Sequence, residues 1–157
     1  IMTDTVITKS PTCTDYDLVQ AEKLGAIIGK KPTEFGLEVF KMRGGDNDLS
    51  VEELCTHDSK EFKKGDDVYM VAQHETVTLD VAMEREAEYR EFLRQKVAEN
   101  GYKFALLLVT DIFNEGSKFI CEGDVAPVSE AFGIDATKAE WVDGILSRKK
   151  QVIPPLS

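Results

Sequence analysis

The sequence predicts an α/β fold: a single domain with a mixed β-sheet flanked by helices. Three observations carry that expectation. Segments of strand and helix periodicity alternate along 157 residues, a length that suits one domain with a substantial core. Phe104-Ala105-Leu106-Leu107-Leu108-Val109 is an unbroken apolar run of strand length, as a central strand buried on both faces requires. Finally, Thr78 to Asn100 carries Val81, Ala82, Tyr89, Leu93 and Val97 at helical spacing and ends on Gly101, so one long helix is predicted there.

The remaining elements follow in order. Asp4-Thr5-Val6-Ile7 reads as the tail of a strand and Ser10-Pro11-Thr12 as a loop. Thr14 and Asp17 resemble a capping box, after which Leu18, Ala21, Leu24 and Ile28 recur at helical spacing up to Gly29. A second helical stretch starts at Pro32, carries Phe35, Val39 and Met42, and stops at Gly44-Gly45. Ser50 and Glu53 form another capping-box pattern, predicting a short helix around Leu54.

The chain then extends from Asp58 to Phe62, turns at Lys64-Gly65-Asp66 and returns as Val68 to Gln73. After the central strand, Asn114 to Ser117 is a turn into Phe119-Ile120-Cys121. Asp124 caps a helix from Val125 to Phe132, with Pro127 in its first turn and Gly133 closing it. Trp141 to Leu146 leads into a basic segment, and Pro154-Pro155 is expected to halt regular structure.

Bulk chemistry narrows the function classes. Hydrophobic residues make up 42% and charged residues 31%, a globular balance rather than a disordered one. The longest apolar run is too short to span a bilayer, and no charged-then-apolar signal segment opens the chain. Net charge is −10, which argues against non-specific binding to nucleic acid or to an anionic membrane. Any anion must therefore meet a local cluster of cations. Cys13, Cys55 and Cys121 are odd in number and widely spaced, without a CxxC pair. Reduced thiols and a cytoplasmic location are the expectation. The chain opens on Ile1 rather than methionine, and a segment removed upstream is expected.

The segment with the strongest chemical signal is Ser147-Arg148-Lys149-Lys150-Gln151, which holds three consecutive cations in an acidic chain. A charge run in isolation is a solvated face. The alternative is phosphate capture, where Arg offers a planar fork of donors and Lys adds a point charge. In an ideal strand Arg148 and Lys149 would point to opposite faces. For both to reach one ligand, the segment must be irregular or lie at a strand end.

Ser147 to Gln151, followed by Val152-Ile153-Pro154, resembles the closing signature of the family II inorganic pyrophosphatases. Collinear segments extend the resemblance over the whole chain: Asp4-Thr5 with Lys9-Ser10-Pro11-Thr12, Asp58-Ser59-Lys60-Glu61-Phe62, Ala72-Gln73, Leu107 to Ile112, and Glu130-Ala131-Phe132. It implies that residues 1–12 are the tail of an N-terminal DHH domain and a linker, and that 13–157 form the C-terminal substrate-binding domain. It also implies that Arg148, Lys149 and Lys60 bind pyrophosphate, with Ser147, Lys150 and Gln151 supporting the motif's geometry. Asp4 would ligate metal, and no catalytic residue would lie in this chain.

The same resemblance implies the surrounding chemistry. Manganese or cobalt, with magnesium, would be held mainly by the N-terminal domain, where paired metals activate water and clamp the phosphate oxygens. The C-terminal domain would close over the substrate and neutralise the remaining charge. The parent protein would be a homodimer joined through its N-terminal domains and this fragment a monomer, inactive alone. No Asp-His-His motif occurs, and the two histidines, His57 and His74, lack a second ligand at metal-binding spacing. Structural or exposed roles are expected for them, and turn formation for Asp111 after the buried strand. Two rival functions stay open: a domain of an exopolyphosphatase, and a non-catalytic module binding nucleotide or polyphosphate.

Overall fold

The computed structural model of the protein describes residues 50–157, together with Gln20 and Lys23, both helical. Apart from those two residues, the expectations for 1–49, Asp4 included, lie outside the described residues.

Local signals build the first elements. The helix α1 (Val51–Thr56) opens on Ser50, whose hydroxyl accepts from Glu53 N at 3.1 Å while the Glu53 carboxylate accepts from Ser50 N at 3.0 Å. This reciprocal cap contributes about 1 kcal/mol. Strands β1 (Ser59–Lys64) and β2 (Asp67–Thr76) form an antiparallel hairpin closed by Gly65, whose φ is 63°. Stacking of Phe62 on Tyr69 and of Tyr69 on Phe104 at 4.7 Å ties the hairpin to the next strand.

The single predicted helix over 78–100 is two helices, α2 (Leu79–Met83) and α3 (Glu86–Asn100). Between them the bonds from Glu84 N to Val81 O and from Arg85 N to Ala82 O tighten the turn, and Arg85 leaves helical geometry at φ −97° and ψ 16°. Propensity at Glu84-Arg85 gives no sign of a break. The constraint is tertiary, because Ala82 and Tyr89 on either side are both fully buried in one core. Gly101 ends α3 in the left-handed conformation, as predicted.

Strand β3 (Phe104–Asp111) is buried at every residue and runs parallel to β2, the two helices forming the crossover. Strand β4 (Gly116–Gly123) returns antiparallel and α4 (Ala126–Phe132) follows, with Asp124 Oδ1 accepting from Ala126 N. A short strand that the sequence did not reveal, β5 (Glu140–Asp143), pairs with β4. The five described strands lie in sequence order in one mixed sheet.

After β5 comes a π-helical turn, Arg148–Val152, continuing into α5 (Ile153–Leu156). Pro154 and Pro155 therefore do not halt regular structure. They occupy the first turn of α5, where a missing N–H costs no helix bond.

Helices cover both faces of the sheet. On one, α1, α2 and α3 bury Leu54, Ala82, Tyr89 and Leu93 against Ala72, Ala105, Leu107 and Val109. On the other, α4, the π-turn and α5 bury Val128, Val152 and Leu156 against Val71, Leu106, Leu108 and Phe119. Alternate residues of β3 feed the two cores, each fully buried Leu contributing about 1.5–3 kcal/mol. The α/β class with a mixed sheet flanked by helices is the observed architecture. No described helix is long and apolar enough to cross a membrane.

Candidate functional site

The carboxyl end of the parallel pair β2–β3 is where ligands gather in open α/β sheets, and the basic segment arrives there. Its path is fixed by side chains from three strands. Gln73 on β2 is 7% exposed and uses both ends of its amide. Its Nε2 donates to Thr110 Oγ1 at 2.9 Å and to Leu146 O at 3.2 Å, while Oε1 accepts from Arg148 N at 3.3 Å. Thr110 on β3 bonds Ser117 on β4 at 2.8 Å, and Ser117 Oγ donates to Ile145 O at 2.7 Å. Each member is buried and satisfied, the condition under which a polar network rigidifies rather than destabilises.

The motif also braces itself. Gln151 Oε1 accepts from both Leu146 N and Ser147 N at 2.9 Å, and its Nε2 donates to Gly144 O at 2.7 Å. Ser147 Oγ accepts from Lys150 N, and Ile153 N bonds back to Arg148 O to close the π-turn. A helical turn separates successive side chains by about 100° or less, against 180° in a strand. Arg148 and Lys149 can thus serve one side of the molecule, the irregularity that shared binding demands.

Arg148 is not a solvated tail residue, being 8% exposed. Its guanidinium donates to the main-chain oxygens of Asp58 and Val71 and to Asp58 Oδ1, the last at 2.7 Å. Lys149 and Lys150 are exposed. Lys60 is exposed on β1 opposite Val71, the residue whose carbonyl receives Arg148. Residues directly opposite share a sheet face, and Val71 packs in the same core as Val152 of the π-turn. Lys60 therefore lies on the sheet face that carries the π-turn, opposite the strand residue whose carbonyl anchors Arg148. Asp4 lies outside the described residues.

Other candidates resolve into structural work. Asp111 Oδ1 accepts from Phe113 N and Asn114 N, and Oδ2 accepts from Asn114 Nδ2, so it builds the β3–β4 turn as expected. His57 closes α1 through its backbone. Among the described residues no group of three His, Cys, Asp or Glu side chains could hold a metal ion. No local pattern gives Asp58 or Gln73 a role. Both stand inside segments that carry the family resemblance, but their value lies in contacts with Arg148, 90 and 75 residues away.

A family model for the DHHA2 domain matches residues 37–157. The chain belongs to the DHHA2 domain family. This DHHA2 chain is 36% identical over 159 residues to a manganese-dependent inorganic pyrophosphatase of Bacillus subtilis, covering 100% of itself and 52% of that protein. It is 37% identical over 161 residues to a cobalt-dependent inorganic pyrophosphatase of Clostridium perfringens, covering 29% of it. A crystal structure described as a family II inorganic pyrophosphatase of Methanococcus jannaschii superposes with a TM-score of 0.87 at 33% identity, over 99% of the DHHA2 chain and 51% of the other. The chain thus spans about half the length, or less, of these relatives.

Proposed function

We propose that this chain is the substrate-gripping domain of a manganese- or cobalt-dependent inorganic pyrophosphatase, which hydrolyses pyrophosphate to two phosphates. The observation that carries the reading is the fixed Arg148 within a basic turn, in a chain alike from end to end to proteins bearing that name. Arg148 and Lys149, with Lys60, would neutralise and orient the polyanion. Residues 13–157 form this domain, and 1–12 lead in from an N-terminal DHH domain.

The metals, manganese or cobalt with magnesium, are held mainly by that N-terminal domain, with Asp4 as the ligand this chain adds. The two domains close on one substrate in a cytoplasmic protein that dimerises through the N-terminal part. Water exclusion and charge neutralisation are what this chain supplies.

The test is Arg148→Ala in the intact protein. Loss of a charge-assisted grip of about 1.5–3 kcal/mol lowers kcat/KM for pyrophosphate roughly 10- to 150-fold. Manganese content should be unchanged. Wild-type kinetics would remove the site assignment, and a preference for long polyphosphate would move the activity to an exopolyphosphatase.

A further inference from the structure

A guanidinium presents five N–H groups in one rigid plane, and Arg148 has committed only some of them. Nη1 donates to Asp58 O and to Val71 O, and Nη2 donates to Asp58 Oδ1. Among the described residues, these bonds take both hydrogens of Nη1 and one of Nη2. What remains is Nε–H and the second hydrogen of Nη2. Asp58 spans Nη1 and Nη2, the far end of the plane, so the remaining pair lies along the Nε edge. Two parallel donors on one edge match two oxygens of one phosphate.

We propose that Asp58 is the positioning residue of the phosphate site: it holds the Arg148 guanidinium by its far end and thereby presents the Nε edge to the substrate. This deepens the pyrophosphatase reading and rests on it. The Asp58 side chain is half exposed while that of Arg148 is 9% exposed, so the carboxylate reaches the guanidinium from the solvent side of the β1 entry. A freely rotating arginine would have to surrender side-chain entropy on binding, whereas here that ordering is already part of the fold.

The arrangement has an electrostatic consequence of definite sign. Asp58 cancels the charge of Arg148 locally and, standing alone, would repel a phosphate. Its benefit is orientation, and net attraction falls to Lys149 and Lys60. With Arg148 present, Asp58 helps binding. With Arg148 removed, the same carboxylate is an uncompensated negative charge beside the substrate and hinders it.

A double-mutant cycle in the intact protein reads that sign. KM and kcat for pyrophosphate are measured for wild type, Asp58→Ala, Arg148→Ala and the double variant, with urea midpoints to establish folding. Asp58→Ala should raise KM about three- to tenfold. The double variant should bind no worse than Arg148→Ala and recover part of its loss. Asp58→Asn keeps an acceptor for Nη2 and guards against a misfolded alanine variant. It should stay within about twofold of wild-type KM, since the hydrogen bond survives, and should improve the Arg148→Ala protein. An unchanged KM in Asp58→Ala, or a further loss when either Asp58 variant is combined with Arg148→Ala, overturns the positioning role. If Arg148→Ala alone has wild-type kinetics, the functional reading fails instead.

Discussion

Cys55 and Cys121 sit on opposite faces of the sheet, one in each core, and both are free thiols with almost no exposure. Burial pushes each up to about 12 from 9.0, with the carboxylate of Glu122 adding to the rise at Cys121. The neutral thiol is thus favoured by folding, and unfolding allows it to ionise. The stability this contributes is fully present below pH 9 and is lost as pH rises towards 12. In a Cys13→Ser chain, a thiol reagent at pH 8 should label neither Cys55 nor Cys121 in the native state at an appreciable rate, and both rapidly in urea. Fast native labelling of that chain would contradict their placement. Residue-scale signals were readable where the partner is close in sequence. Ser50 and Glu53 found each other as the pattern implied, and Asp111 built its own turn. Asp58 and Gln73 were opaque because their partner is a distant guanidinium or amide that no local pattern announces.

Elements with their own periodicity or stop residues were similarly legible, including β3, the β1–β2 hairpin and the Gly133 end of α4. Strand β5 was not, since three half-buried residues followed by an exposed one carry no alternation to read. Its position depends on Gly116, where the Trp141 ring packs directly on the backbone. A Cβ added there would lie 2.3 Å from Trp141 Cζ2, closer than any unshifted packing allows. Gly116→Ala should therefore displace the ring and cost about 1–3 kcal/mol by overpacking. Trp141 is the one tryptophan in the sequence, so its emission reports the change directly. An unaltered spectrum and urea midpoint would show that the strand tolerates a side chain there. The π-turn was equally hidden: Arg-Lys-Lys-Gln is too short to show helical periodicity, and Gln73 and Gln151 impose its shape.

At the scale of the whole molecule, the proposed reading gives this domain a cationic grip and leaves the paired metals to an N-terminal domain. On that reading the chain alone should show no manganese-dependent pyrophosphate turnover above background, and measurable turnover would overturn that division of labour. The contact proposed to orient the grip joins Asp58 to Arg148 across 90 residues, a stretch containing all five described strands. Closing a loop of that length carries an entropic cost that short-range turns escape. That cost falls once the strands between have paired, which favours the Asp58–Arg148 contact as a late event on the folding path. A nascent or partly unfolded chain would hold its cations apart, and competence to seize an anion would arrive in a single step with the native state.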